Sequence, residues 1–128
     1  MLNQVDIAKL LLRLTLGVLI LFHGVHKLIH GIGGVSALVH SHGLPSFLAY
    51  GVYLAELIAP IFIILGLYAR VASGVLALNM FMAIYLAYGF SFSLAKYGGI
   101  AWETPFLFFM MSLLVVLFGS GKYAINSK

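Results

Sequence analysis

Glu56 stands inside a long apolar stretch, where a carboxyl group needs a proton, a cation or strong hydrogen bonds to be tolerated. Candidate partners lie in another apolar stretch. His23, His26, Lys27 and His30 fall at steps of three and four residues and so form one polar stripe on a helix. Tyr53 precedes Glu56 by one turn and can add a hydroxyl, while Asn79 and Arg13 are further polar groups at membrane depth. A carboxyl group beside cations and hydroxyls can exchange a proton or hold the polar head of a small molecule. The same set could instead be an internal ion-pair and hydrogen-bond network that fixes helix register. Asn79 is expected to face the other helices and to meet Arg13. Glu103 is expected on the outer face, within reach of Lys96 or Lys27.

Other chemistries lack their residues. The chain has no cysteine, which removes disulfides, thiolate metal sites, thioether-linked heme and any cysteine-based cofactor. Five histidines invite a metal, but His40 and His42 point to opposite sides of a helix, with no carboxylate nearby to complete a set. No metal site is expected. Neither a phosphate loop nor a nucleophile–base set can be assembled.

The elements that position these groups are four apolar runs, expected as helices over about 7–29, 47–68, 71–90 and 104–122. About 20 helical residues cross a hydrocarbon core of ~30 Å. The fold class expected is therefore all-α, an integral membrane antiparallel bundle of four transmembrane helices in a single domain over 1–128. Composition agrees: 63% of residues are hydrophobic and 8% charged, with mean hydropathy +1.14, too few polar groups to cover a water-soluble surface. Ser46 is expected to cap the second helix and Thr104-Pro105 to open the fourth, with Gly119 and Gly121 closing it. A short interfacial helix is expected around Val35 to His40. Tyr68-Ala69-Arg70 forces a tight antiparallel hairpin. Trp102 and the run Phe90 to Tyr97 read as interface anchors and lipid-facing bulk. A signal peptide over the first run is disfavoured because no small-x-small cleavage site follows it.

The net charge of +4 comes from single Lys and Arg residues at the ends of apolar runs, not from a basic cluster, so nucleic acid is not an expected partner. Lys9, Arg13, Arg70, Lys122 and Lys128 fall on one side, Lys27 and Lys96 on the other. The positive-inside rule then places both termini in the cytoplasm. Helical side chains lean toward their own N-terminus. Glu56, ~13 Å below the outer interface, therefore leans outward as His23 and Lys27 lean inward, which predicts a Glu56–Lys27 or Glu56–His23 contact.

Taken together, the chain resembles the DoxX family of small four-helix membrane proteins. The residues that carry the likeness are Arg13 with Gly17, Phe22-His23-Gly24 followed by Lys27, and Gly43-Leu44-Pro45. Glu56, Leu65-Gly66 followed by Arg70, and Gly119-Ser-Gly121 extend it along nearly the whole chain. One departure is the ending: Ala124-Ile125-Asn126 stands where the family often has Ser-Leu-Asp. The resemblance implies a bacterial inner-membrane protein linked to thiosulfate:quinone oxidoreduction or to oxidoreductase complexes that handle oxidative or thiol stress. Many members have no established activity. The leading expectation is a component of a membrane redox system that interacts with quinone and a redox partner subunit. In it, Lys27 or His23 hydrogen-bonds a quinone carbonyl and Glu56 exchanges the proton. The alternatives are a non-enzymatic scaffold or partner-binding subunit and a proton or small-molecule transport module. Enzymatic activity and a homo-oligomeric state stay open.

Overall fold

The computed structural model describes residues 4–89 and 98–125. Lys96, Asn126, Lys128 and the aromatic run from Phe90 to Tyr97 lie outside the described residues. The described residues are all-helical, with 81% of them in helix.

Helix α1 runs Gln4–His30 and buries one stripe, Arg13, Leu16, Gly17, Ile20 and Gly24, at the steps of three and four that keep residues on one face. Asp6 in its first turn and Lys27 and His30 in its last complement the helix dipole. A short helix, α2, runs Gly33–Ser41, slightly longer than expected. Helix α3 spans Phe47–Leu65 and is irregular inside. A tight 3-10 segment, Ser46–Tyr50, leads into one α turn, Gly51–Tyr53; a wide π turn, Leu54–Ile58, follows, then regular α-helix, Ala59–Leu65. Pro60 explains the widening. It offers no N–H to the Glu56 carbonyl four residues back, and its ring crowds that carbonyl, so the turn opens to i→i+5 bonding. Helix α4 runs Ala69–Tyr88 and α5 runs Glu103–Phe118.

Several boundaries differ from the sequence expectation. Helix α3 stops at Leu65 because Gly66 takes the left-handed conformation, φ 70°, and α4 starts two residues early after a second left-handed residue, Tyr68 at φ 50°. Helix α5 ends at Phe118, since Gly119 leaves helical space at φ 78° and ψ −165°. Ser46 does not cap α3: Pro45 precedes the first turn and Ser46 lies within it. Pro105 sits third in α5, still in the first turn, where backbone donors have no helical acceptor.

The four long helices share one core. Leu16 and Ile20 of α1, Ile63 of α3, Leu76 of α4 and Val115 of α5 are all at most 1% exposed, with Ala59, Ala69 and Ala72 filling the close approaches between them. The outside is equally apolar. Phe22, Ile29, Val71, Leu78 and Leu117 each leave more than 60% of their surface outside the fold, a pattern foreign to a water-facing surface. Among the described residues, two helices are long and apolar enough to cross a membrane: α3, 19 residues at mean hydropathy 2.1, and α4, 20 residues at 1.7. Helix α5 is apolar but has 16 residues.

Candidate functional site

The π turn carries Glu56 into the interior, where its side chain is 3% exposed. Lys27, in the last turn of α1, reaches across with its Nζ at 2.8 and 2.7 Å from Oε1 and Oε2. Asn79 of α4 donates from Nδ2 to Oε2 at 2.9 Å. Three helices therefore meet at one carboxylate. The Tyr53 hydroxyl donates to the Lys27 carbonyl at 3.3 Å, which ties α3 to the end of α1 rather than to the carboxylate.

The approach of α1 to α3 depends on a glycine. A Cβ built on Gly24 would overlap the Glu56 carbonyl, the same carbonyl that Pro60 deprives of its helical donor. Gly24 and Pro60 thus work on one atom. Gly24 lets the backbones close, and the wide turn presents Glu56 to Lys27.

Lys27, Glu56 and Asn79 form the polar end of a cavity of about 380 Å³ between α2, α3 and α4. Its remaining lining is apolar, from Val39 of α2 and Val52 of α3 to Met82 and Leu86 of α4. Lysine has three N–H donors, and Glu56 takes two of them. One lysine donor, the second Asn79 N–H and the Asn79 carbonyl remain to serve a ligand. The Lys27–Glu56 pair has no net charge when both groups are ionised, so the cavity fits an uncharged head group bearing carbonyl or hydroxyl oxygens.

Several expected neighbours lie elsewhere. His23 does not reach Glu56: its ring packs edge-on against Phe108 of α5, with centroids 5.8 Å apart, and it faces outward. A four-residue step turns about 40° around a helix, and the long Lys27 side chain bridges that offset where a short, rigid imidazole cannot. The His26 and His30 rings lie against each other on the exposed side, tilted by 45° with centroids 4.4 Å apart. Asn79 meets Glu56, not Arg13. Glu103 heads α5 with its carboxylate beside Gly99, and Lys27 pairs with Glu56 instead.

Arg13 belongs to the opposite end. It is 1% exposed and turns Nη1 to the end of α3, at 3.0 Å from the Ile63 carbonyl and 3.2 Å from that of Ile64. Its Nη2 donates to the Tyr123 carbonyl. A cation there meets the negative end of the α3 dipole, and the segment after α5 is held by this fork and by the Ile125 N–H to the Leu65 carbonyl at 3.1 Å. Lysine carries its donors on a single atom and lacks the planar fork of the guanidinium, so it holds two segments on opposite sides less well. Arg13→Lys should therefore cost about 2 kcal/mol, the loss of charge-assisted bonds, and free the end of the chain. Limited trypsin digestion in detergent should then show faster cleavage at Lys122 with the remaining core intact.

Comparison with known proteins follows the same residues. The DoxX family model matches residues 8–89, a stretch that contains Lys27, Glu56 and Asn79. A protein of Bacillus subtilis (strain 168) described as "Putative oxidoreductase CatD" is 37% identical over 79 residues, covering 62% of this chain and 58% of that protein. The chain thus spans less than two thirds of that relative's length. No solved structure matches.

Proposed function

The chain belongs to the DoxX family, a membrane-associated family, and from that premise we propose that it is a component of a membrane redox system that holds a quinone-type carrier against Lys27, Glu56 and Asn79. The observation that carries this reading is the cavity itself: about 380 Å³, apolar, and closed at one end by three converging polar side chains. Ligand sites are commonly of this size and composition. The description of the relative as an oxidoreductase supports the redox part of the reading.

A quinone supplies two-electron chemistry coupled to protons. The chain's own residues do the rest. Lys27 and Asn79 offer N–H donors that orient a carbonyl oxygen, the α2 cover and the apolar walls exclude water, and Glu56 holds a proton acceptor within the same hydrogen-bonded set. With no cysteine in the chain, electrons do not pass through its own thiols, and a bound cofactor or a partner subunit would deliver them. Glu56→Gln keeps the shape and an acceptor oxygen but removes the exchangeable proton. We expect native mass spectrometry of the gently extracted protein to retain quinone in this variant, while quinone reduction in membranes falls about 10²-fold or more, the usual size of a lost general acid–base. Protein that carries no quinone, together with unchanged activity in Glu56→Gln, would overturn the reading. A purely structural network is the second reading, favoured by a carboxylate that already accepts three hydrogen bonds.

In the membrane arrangement that goes with this function, all four long helices span the bilayer and both termini are cytoplasmic. The distribution of Lys and Arg supports it. Because the chain has no cysteine, single thiols are clean reporters. His42→Cys should react with a membrane-impermeant maleimide added outside cells or spheroplasts, and Lys122→Cys only after lysis. Equal labelling from one face would refute the arrangement.

A further inference from the structure

The cavity is not closed on all sides. Leu54 of α3 and Val75 of α4 line it, and the same two residues line the head of a second, wholly apolar groove of about 290 Å³. That groove runs on between α3 and α4 past Ile58, Phe62 and Val71 to Tyr68 at the hairpin. Between Leu54 and Phe62 the path covers ~12 Å along the helix. Ala59 and Ala72, 4% and 5% exposed, form part of its lining, and their small side chains leave room between the two helices. Ile58 and Val71 on its rims are 48% and 67% exposed, so the groove opens sideways along its length.

We propose that this groove is the tail subsite of the cavity, so that the ligand is a lipid-like molecule with an uncharged, carbonyl-bearing head and a long single apolar tail, entering laterally between α3 and α4. The inference rests on the head-group reading of Lys27, Glu56 and Asn79 and adds to it the length and route of the ligand. What carries the proposal is adjacency: a polar-ended chamber and an apolar groove meet at Leu54 and Val75, which line both. A water-soluble substrate would have no use for the second half. The groove contributes by shape. In a bilayer a tail is already out of water, so there is little hydrophobic gain on seating it, and close packing against the alanines supplies the selectivity. An anionic phospholipid fits less well, since the charges of Lys27 and Glu56 balance and no phosphate-binding cation is left over.

Two fully substituted probes separate head from tail: 2,3-dimethyl-1,4-naphthoquinone and its 2-methyl-3-polyprenyl counterpart, titrated against the full chain in detergent and followed by native mass spectrometry. Val71→Trp and Ile58→Phe block the groove from exposed positions, so folding should be undisturbed, and Leu117→Trp on a remote exposed face is the control. We expect the blocking variants to weaken the polyprenyl probe at least about tenfold, equivalent to about 1.4 kcal/mol, with the dimethyl probe and the control unchanged. Equal binding of the polyprenyl probe to wild type and both variants would overturn the tail subsite while leaving the head-group reading in place. Binding of neither probe to wild type would overturn both.

Discussion

Lys27→Met is expected to be the most damaging single change at the polar end of the cavity, at about 3 kcal/mol of stability in detergent. Removing one member of a buried pair costs about 3–5 kcal/mol because the other charge is stranded. The low end applies here, since the Lys27 side chain is 27% exposed while Glu56 is 3% exposed. Asn79 would remain as the single side-chain donor to Glu56, one hydrogen bond where there had been three. Lys27→Met combined with Glu56→Gln removes the stranded charge as well and should recover more than half of the loss. A thermal-unfolding cycle over the four proteins measures this coupling directly. Additive single effects, or a Lys27→Met loss below about 0.5 kcal/mol as for an exposed pair, would show that the carboxylate is solvated in practice and that the cavity's polar end is wet. Asn79→Leu should cost less, about 1 kcal/mol, as befits one hydrogen bond.

Why Lys27 and Glu56 could be paired from the sequence, while other neighbours could not, is a matter of which coordinates a sequence carries. Depth along a helix follows from counting residues, and antiparallel order of α1 and α3 follows from their being successive spans, so two polar groups at matching depth on adjacent helices can be brought together. Rotation about the helix axis is less determined. His23 is at a similar depth but turned toward Phe108, and Asn79 meets Glu56 rather than Arg13 because its rotation about the α4 axis is not set by residue counting. The Arg13 fork uses backbone carbonyls that look alike in any sequence, and they become acceptors only because α3 ends at Leu65 and the chain returns past Tyr123. The cavity is less legible still. It arises from how α2 lies across α3 and α4, and its walls are ordinary Val, Leu and Met. The widened turn does leave a mark in the sequence: Pro60 lies four residues after Glu56, the spacing at which proline must disturb the carbonyl of the acidic residue itself.

That spacing leads to the second large effect. Gly24→Ala should be severely destabilising although it adds one methyl group. The new Cβ would run into the Glu56 carbonyl, a backbone atom with no rotamer to move into, and into the side chain of Leu57. Relief requires α1 and α3 to part or the π turn to close, and either movement draws Lys27 away from Glu56. Overpacking a tight contact costs about 1–3 kcal/mol, and the strained ion pair adds to it, so the loss should approach that of Lys27→Met. Two other glycines serve as internal standards. At Gly17 the closest atom is Cγ1 of the β-branched Ile64 side chain, which has some rotamer freedom where a backbone carbonyl has none, and the Pro60 carbonyl also lies 3.0 Å from the added Cβ, so Gly17→Ala should be intermediate. At Gly74, inside α4, nothing lies within 4 Å, and alanine there should stabilise by up to about 1 kcal/mol through helix propensity alone. Melting temperatures in one detergent should rank Gly74→Ala above wild type, then Gly17→Ala, then Gly24→Ala. If Gly24→Ala melts with wild type, the close approach of α1 to the wide turn is not what sets Lys27 against Glu56, and the pair forms through side-chain reach alone. The two outcomes also part on ligand binding. A displaced α1 should lose the head group of the tailless naphthoquinone, whereas a pair that forms by reach should keep it.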